Sequence, residues 1–279
     1  MLPNLIIIGA MKCATTSLHY YLSLHPEIKM SKKKELDFFI FERNWNKGIN
    51  WYKSHFNRKA KIRGESSPNY TKYPWFKGVP QRMHTIVPNA KLIYILRDPI
   101  ERIISEYVHI HSEGGDKRTI KKALTNLKGN WYVDNSKYYM QLKRYLNFYP
   151  KSNLLILTAE DLKMDTQKAL ARAFRFLDVD ESFFTHDFFK RVHASKNKHV
   201  KNRLGRLLET EVGQRKLEDI LLSCVPRPIH KTYFKASRKK AIVKPKLNEN
   251  IKQNLKKCLE DDVNMLRKYT GRNFRKWSI

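Results

Sequence analysis

Up to about Asp180, apolar residues fall in short unbroken runs separated by stretches of helical period. Asn4-Leu5-Ile6-Ile7-Ile8-Gly9 is a continuous, largely β-branched run, the pattern of a strand covered on both faces. A turn is predicted from Gly9 to Ala14. Thr15-Thr16-Ser17 then open a helix with apolar positions at Leu18, Tyr21, Leu22 and Leu24, which His25-Pro26 stops. Ile62 to Glu65 predicts a short second strand, ending at Ser66-Ser67-Pro68. Lys91–Leu96 and Asn153–Thr158 predict two more buried strands. Arg97-Asp98-Pro99 follows the first of these and leads into a helix through Ile103 and Tyr107, with Asp98 as N-cap and Pro99 as first helical residue. Tyr138 to Phe148 is amphipathic and helical, ended by Pro150, and Asp165 caps a helix carrying Leu170, Phe174 and Leu177. Past Asp180 the strand signals fade. Helical patterns at Leu204–Leu222 and Leu247–Tyr269 flank a basic, proline-containing stretch from Val225 to Pro245.

Strands alternating with helices predict an α/β fold: a mainly parallel sheet with helices on both faces. The expected organisation is one domain over residues 1–279, with an α/β core over 1–180 and a helical, basic C-terminal part over 181–279. Ligands in such sheets bind beyond the carboxyl ends of the strands. The turns after Ile8 and Leu96 are therefore the places where a site is expected.

The 56 Lys and Arg against 26 Asp and Glu leave a net charge of +30. With 41% hydrophobic residues the chain can still bury a core, which excludes disorder. The charge predicts attraction to an anion without saying which: nucleic acid, acidic polysaccharide, a phosphate-rich cofactor and an anionic membrane surface all qualify. Lacking zinc-finger spacing, a basic zipper or an aromatic RNA-binding signature, the chain is not expected to bind nucleic acid. Three widely spaced cysteines, Cys13, Cys224 and Cys258, argue against a disulfide framework and for a reducing, cytoplasmic location. Leu5 to Ala10 is too short for a signal-peptide core and far short of the ~20 residues that cross a bilayer, so no membrane segment is expected. His84, His109 and His111 have no cysteine or carboxylate at metal-ligand spacing, and no metal is expected.

The first turn suits an oxyanion. A helix start offers unpaired N–H groups and a positive dipole end, Lys12 adds charge, and Thr15, Thr16 and Ser17 add hydroxyl donors. It is not a Walker A loop: counted from Gly9, that pattern needs lysine where Thr15 stands. An ordinary kinase or ATPase is thereby disfavoured. Taken alone, the turn reads as a Ser/Thr-capped core helix.

Three further segments change that reading. Lys12-Cys13-Ala14-Thr15-Thr16-Ser17-Leu18 resembles the 5′-phosphosulfate loop of sulfotransferases that use PAPS, 3′-phosphoadenosine 5′-phosphosulfate. Lys34-Glu35-Leu36-Asp37-Phe38-Phe39 and Gly64-Glu65-Ser66-Ser67-Pro68-Asn69-Tyr70 resemble two segments of the carbohydrate-sulfating branch of that family. Leu96-Arg97-Asp98-Pro99-Ile100-Glu101-Arg102, continuing to Ser105-Glu106-Tyr107, resembles the family's 3′-phosphate motif. The four segments come in the family's order on the expected elements, and with weaker similarity through Asp161 they cover about two-thirds of the chain.

The resemblance implies a P-loop-like fold, PAPS as sulfuryl donor, adenosine 3′,5′-bisphosphate as product and no metal. It places Lys12, Cys13, Ala14, Thr15, Thr16 and Ser17 around the phosphosulfate, with Lys12 neutralising the departing bridging oxygen. Arg97 and Ser105 would hold the 3′-phosphate, and Glu35 would be the general base. Asp37 stands where relatives often have histidine, which leaves three roles open: assisting the base, binding acceptor, or being the base. Glu65, on the acceptor side, is read as orienting or capping the turn that follows it. Lys196, in a segment loosely similar to the family's basic loop over the donor, is a donor-binding candidate beside the reading of a solvated surface lysine. Cys13-Ala14 replaces the loop's usual glycines, and alanine fits there if its φ stays negative. Ser66 replaces a lysine frequent in glycosaminoglycan sulfotransferases, and the disulfide-bearing C-terminal segment of the animal Golgi enzymes has no counterpart. The expected activity is sulfuryl transfer to a hydroxyl or amine of a glycan or small secondary metabolite. The alternatives are a non-catalytic polyanion-binding protein on the same fold and an atypical P-loop nucleotide kinase.

Overall fold

Side-chain alternation along the apolar runs builds the architecture. The computed structural model of the protein describes residues 1–56, 59–190, 199–201, 238–241 and 244–279. In chain order the elements are β1 (Leu5–Gly9), α1 (Thr15–Ser23), β2 (Ile28–Met30), α2 (Gly48–Ser54), β3 (Ile62–Ser66), α3 (Val79–Ile86) and β4 (Lys91–Leu96). They continue with α4 (Pro99–Ser112), α5 (Ile120–Ala123), α6 (Trp131–Asp134), α7 (Tyr138–Leu146), β5 (Leu154–Thr158), α8 (Ala159–Met164) and α9 (Thr166–Leu177). After these come β6 (His199–Lys201), β7 (Arg238–Ala241) and α10 (Glu249–Thr270). The chain forms two compact units: Met1–Ile103 with Asn126–His193 and Glu249–Ile279, and Ile104–Thr125 with Ala194–Asn248.

The larger unit is built on a five-stranded sheet in the order β2-β3-β1-β4-β5, every pairing parallel. Successive side chains of a strand point to opposite faces. Ile6 and Ile8 of β1 and Leu92, Tyr94 and Leu96 of β4 accordingly pack on one side, against Met83, Tyr138, Leu142, Val263 and Leu266. Leu5, Ile7, Ile93 and Ile95 pack on the other, against Leu18 and Leu22 of α1 and Leu170, Phe174 and Leu177 of α9. Both faces of the central strands are thus covered by helices, which is the three-layer α/β arrangement expected. Each such side chain, fully buried, contributes roughly 1.5–3 kcal/mol from its removal from water.

The strands at β1, β3, β4 and β5 and the helices at α1, α4, α7, α9 and α10 lie where the apolar pattern predicts them. Asp98 and Asp165 cap as expected: the Glu101 amide donates to Asp98 Oδ1 at 2.9 Å, and the Lys168 amide to Asp165 Oδ1 at 2.9 Å. α10 also caps another helix. Asp262 accepts the Tyr139 and Met140 amides at 2.9 and 2.8 Å, and burial pushes its carboxyl up to about 6.

The sequence pattern missed the short helices α2, α3, α5, α6 and α8 and three strands. β2 is a three-residue strand, Ile28-Lys29-Met30, with a lysine at its centre. In the smaller unit, β6 and β7 pair antiparallel, His199 opposite Ala241 and Lys201 opposite Arg238, within a region read as helical and basic. The helix predicted at Leu204–Leu222 lies outside the described residues.

Candidate active site

The strand order decides where the site lies. From β1 the chain crosses toward β2 on one side of the sheet, and from β4 toward β5 on the other. Crevices open where neighbouring strands lead in opposite directions. Here that is between the carboxyl ends of β1 and β4, joined by the Ala10 amide donating to the Ile95 carbonyl at 2.7 Å.

The turn after β1 is tight. A β-carbon on Gly9 would run into the Thr71 hydroxyl and press on the Tyr94 ring. Lys12 (φ 70°) and Ala14 (φ 65°) are left-handed, so the expected negative φ at Ala14 is not what the turn adopts. This conformation costs a non-glycine residue roughly 1–2 kcal/mol. Ala14 is the N-cap of α1 and provides no side-chain hydrogen bond to the first turn. The Ser/Thr-capped reading therefore fails, since Thr15, Thr16 and Ser17 lie inside the helix. What remains is an uncapped helix start beside Lys12, a favourable place for an anion.

Two buried side chains, neither singled out by sequence reasoning, brace this turn. The Tyr138 hydroxyl donates to the Arg97 carbonyl at 2.8 Å and lies 3.6 Å from Cys13 Sγ, tying the turn after β1 to the turn after β4. Arg102, fully buried, donates to the Ser136 hydroxyl at 2.6 Å, to the Tyr132 carbonyl at 2.8 Å and, at 3.5 Å, to the Met11 carbonyl. The signal for Arg102 was its place in the Arg97–Arg102 motif, and for Tyr138 its place at a helix start. Burial pushes the Cys13 thiol up to about 12, so it stays protonated and serves as packing.

Arg97 leaves the end of β4 half-buried, its Nη2 donating to Glu101 Oε2 at 3.0 Å one helical turn on. Asp98 does not pair with it. Its backbone amide donates to Glu160 at 2.9 Å, and its carboxylate caps α4 and accepts the Ser278 amide. Ser105 lies half-buried in α4, in the part belonging to the smaller unit. Lys196 lies outside the described residues.

On the other side of β1, the parallel register sets Ser66 of β3 opposite Ile7, and the Ser67 amide donates to the Ile7 carbonyl at 3.1 Å. Glu35 is docked there by its amide, which donates to the Ser66 carbonyl at 2.9 Å. Its carboxylate is solvent-accessible and paired with Lys34. Asp37 is buried, bonded by Arg43 and by Asn69 Nδ2 at 2.9 Å. Burial pushes its carboxyl up, against the pull of Arg43 and Asn69. Glu65 is fully enclosed. Tyr52 and Tyr70 donate to its Oε1 at 2.7 and 2.9 Å and Ser67 to its Oε2 at 2.6 Å. Burial pushes it up to about 7, with the three hydroxyl donors pulling the other way.

Across the carboxyl edge of the sheet the order is thus Glu35 over β3, Lys12 with the start of α1 over β1, and Arg97 over β4. Strands lie about 4.8 Å apart, so β3, on which Glu35 docks, and β4, which Arg97 follows, are about 10 Å from each other. An all-parallel five-stranded sheet covered by helices on both faces, with an uncapped helix start after its first strand, places the protein in the P-loop-like α/β class. Within that class the chain belongs to the sulfotransferase domain family, which it matches over residues 2–216.

The relatives carry that name into two settings. Over 111 residues, 38% of this chain and 22% of the other, the chain is 43% identical to the membrane-associated sulfotransferase kil1 of Dictyostelium discoideum. Over 199 residues, 64% of this chain and 22% of the other, it is 29% identical to the bifunctional heparan sulfate N-deacetylase/N-sulfotransferase 2 of Homo sapiens. The chain thus aligns with about a fifth of each of these relatives. A solved sulfotransferase from Alicyclobacillus acidocaldarius matches the whole of both chains with a TM-score of 0.71 at 22% identity, which shows a common fold. Among the described residues no helix is long and apolar enough to cross a membrane.

Proposed function

We propose that the protein is a PAPS-dependent sulfotransferase acting on a hydroxyl or amine of a glycan or small-metabolite acceptor. The observation that carries this is the order across the sheet edge: an acid docked on β3, the lysine-bearing turn and uncapped helix start after β1, and an arginine after β4. When bound, the donor supplies the sulfuryl group and leaves as adenosine 3′,5′-bisphosphate.

The chain's own residues then have distinct tasks. The uncapped start of α1, with Lys12 and the hydroxyls of Thr15, Thr16 and Ser17, holds the phosphosulfate and offsets charge on the departing oxygen. Cys13 and Ala14 contribute backbone to the same turn. Arg97 holds the 3′-phosphate with Ser105, and its planar fork of donors suits that anion. Binding there exchanges the half-exposed Glu101 contact for a phosphate. Lys196 keeps its assignment as a donor-loop candidate. Glu35 is the base that accepts the acceptor proton, because its carboxylate is accessible while those of Asp37 and Glu65 are buried and already bonded. Asp37 then supports the acceptor side, and Glu65 orients the turn after β3. A reducing, cytoplasmic setting belongs to this reading and is supported by the unpaired thiols Cys13 and Cys258.

The test is PAP release from PAPS in a screen of glycan and small-molecule acceptors. Glu35→Gln is expected to lower kcat by about 10²–10⁴-fold, the range for a positioned general base, and to leave bisphosphate affinity unchanged. Full activity in that variant would remove Glu35 as the base.

A further inference from the structure

Glu65 is a buried carboxylate with a specific set of partners. Tyr52 from α2, Tyr70 and Ser67 all point hydroxyls at it. The titratable and charged groups facing it from the surrounding elements are these two tyrosines, Tyr145 of α7, and Asp37 with its partner Arg43. Burying a carboxylate costs several kcal/mol, and replacing a buried charge by apolar groups is often neutral or stabilising. A corner that only needed filling would not call for an acid.

The Ser67 hydroxyl shows what the acid does. It donates to Glu65 Oε2 at 2.6 Å and accepts the Asp37 amide at 3.1 Å. A hydroxyl has one proton. With that proton committed to Glu65, a lone pair is fixed toward Asp37. The segment it holds is strained: Glu35 and Asp37 are both left-handed, with φ of 61° and 48°. Such conformations persist only where the surroundings over-determine them. The determinants include the Ser66 carbonyl on the Glu35 amide, Asn44 Nδ2 donating to the Leu36 carbonyl at 2.7 Å, and the Ser67 hydroxyl on the Asp37 amide.

We propose that Glu65 is a positioning residue of the transfer step: ionised, it orients the Ser67 hydroxyl, which pins the Asp37 backbone and so fixes the Glu35 carboxylate that takes the acceptor proton. This rests on the sulfotransferase reading. Protonation of Glu65 places a proton on the carboxyl, which then donates where it had accepted. The Ser67 hydroxyl loses the orientation its committed proton gave it, and the Asp37 amide shares an oxygen that also accepts from the acid, which loosens the pin. Because burial brings Glu65 up to about 7, activity carries an acid limb that belongs to this buried group.

The experiment is PAP release from PAPS with water as acceptor, followed across about pH 6–9, in wild type, Glu65→Gln, Ser67→Ala and the double variant. Bisphosphate affinity is measured alongside by calorimetry. Each single change is expected to lower kcat by about 10- to 100-fold, the range for a misplaced reacting group, with KM for PAPS and bisphosphate affinity unchanged. The double variant falls no further than the worse single one, since both break one chain of contacts. Wild-type kcat rises through an acid limb near neutral pH that Glu65→Gln lacks. Additive losses, or the same acid limb in Glu65→Gln, overturn the proposal. If Glu65→Gln does not fold, Tyr70→Phe, which removes one donor, decides by the same profile: the limb moves to higher pH or the proposal fails. Wild type that binds no bisphosphate would overturn the sulfotransferase reading instead.

Discussion

Glu65 carries an energetic cost that is measurable apart from activity. Its carboxyl lies near 4.5 in the unfolded chain and near 7 when buried, so folding takes up a proton between those values. The stability linked to that proton is fully present below about pH 4.5 and is lost as pH rises through about 7. The loss is on the order of 3 kcal/mol. Glu65→Gln keeps one acceptor oxygen, places an NH₂ donor at the other and does not titrate. In urea unfolding it is expected to gain on wild type steadily as pH rises through that window. Parallel curves for the two proteins would show that Glu65 does not titrate there. A variant more stable at neutral pH and less active fits a functional site held at the expense of stability. Lys12 and Arg97 were legible as candidates because a lysine in a strand–helix turn and an arginine at a strand end are patterns of position, whereas Glu35 was reached through the family resemblance alone. Arg102 and Tyr138 were not, because their roles depend on contacts across 30 or more positions, Arg102 with Tyr132 and Tyr138 with Arg97. The Glu65 network is more local, with Ser67, Tyr70 and Tyr52 at 2, 5 and 13 positions, but the link from Ser67 to Asp37 that gives it a task spans 30.

At the scale of elements, the carboxyl ends of β1, β3 and β4 set the site, and caps hold it in place. Asp98 joins the start of α4 to the C-terminal segment through the Glu101 and Ser278 amides. Asp98→Ala removes the helix cap and leaves those amides without acceptors. A loss of about 1–2 kcal/mol in unfolding free energy is expected, with a several-fold weaker grip on the bisphosphate because Arg97 is the adjoining residue. Unchanged unfolding free energy would mean the cap contributes nothing there. The apolar runs revealed β1, β4 and β5 because strands buried on both faces exclude polar residues. β2 escaped because it is three residues long and carries Lys29 in its middle. β6 and β7 escaped for a related reason: His-Val-Lys and Arg-Lys-Lys-Ala show no apolar alternation, and a ladder's hydrogen bonds come from backbone that any sequence provides.

For the whole molecule, the +30 charge creates a field that favours anions of every kind, so charge alone does not separate an enzyme from a polyanion binder. Specificity for the donor separates them. On the proposed function, Arg97 and the turn after β1 form a site for a 3′-phosphorylated nucleotide, and calorimetric titration with adenosine 3′,5′-bisphosphate and, in parallel, ATP tests this most directly. Wild type is expected to bind the bisphosphate at about micromolar Kd, roughly −8 kcal/mol. ATP binding should be far weaker, and Arg97→Ala should abolish bisphosphate binding while leaving the fold intact. Equal binding of ATP and bisphosphate, or bisphosphate binding that survives loss of Arg97, would contradict the account.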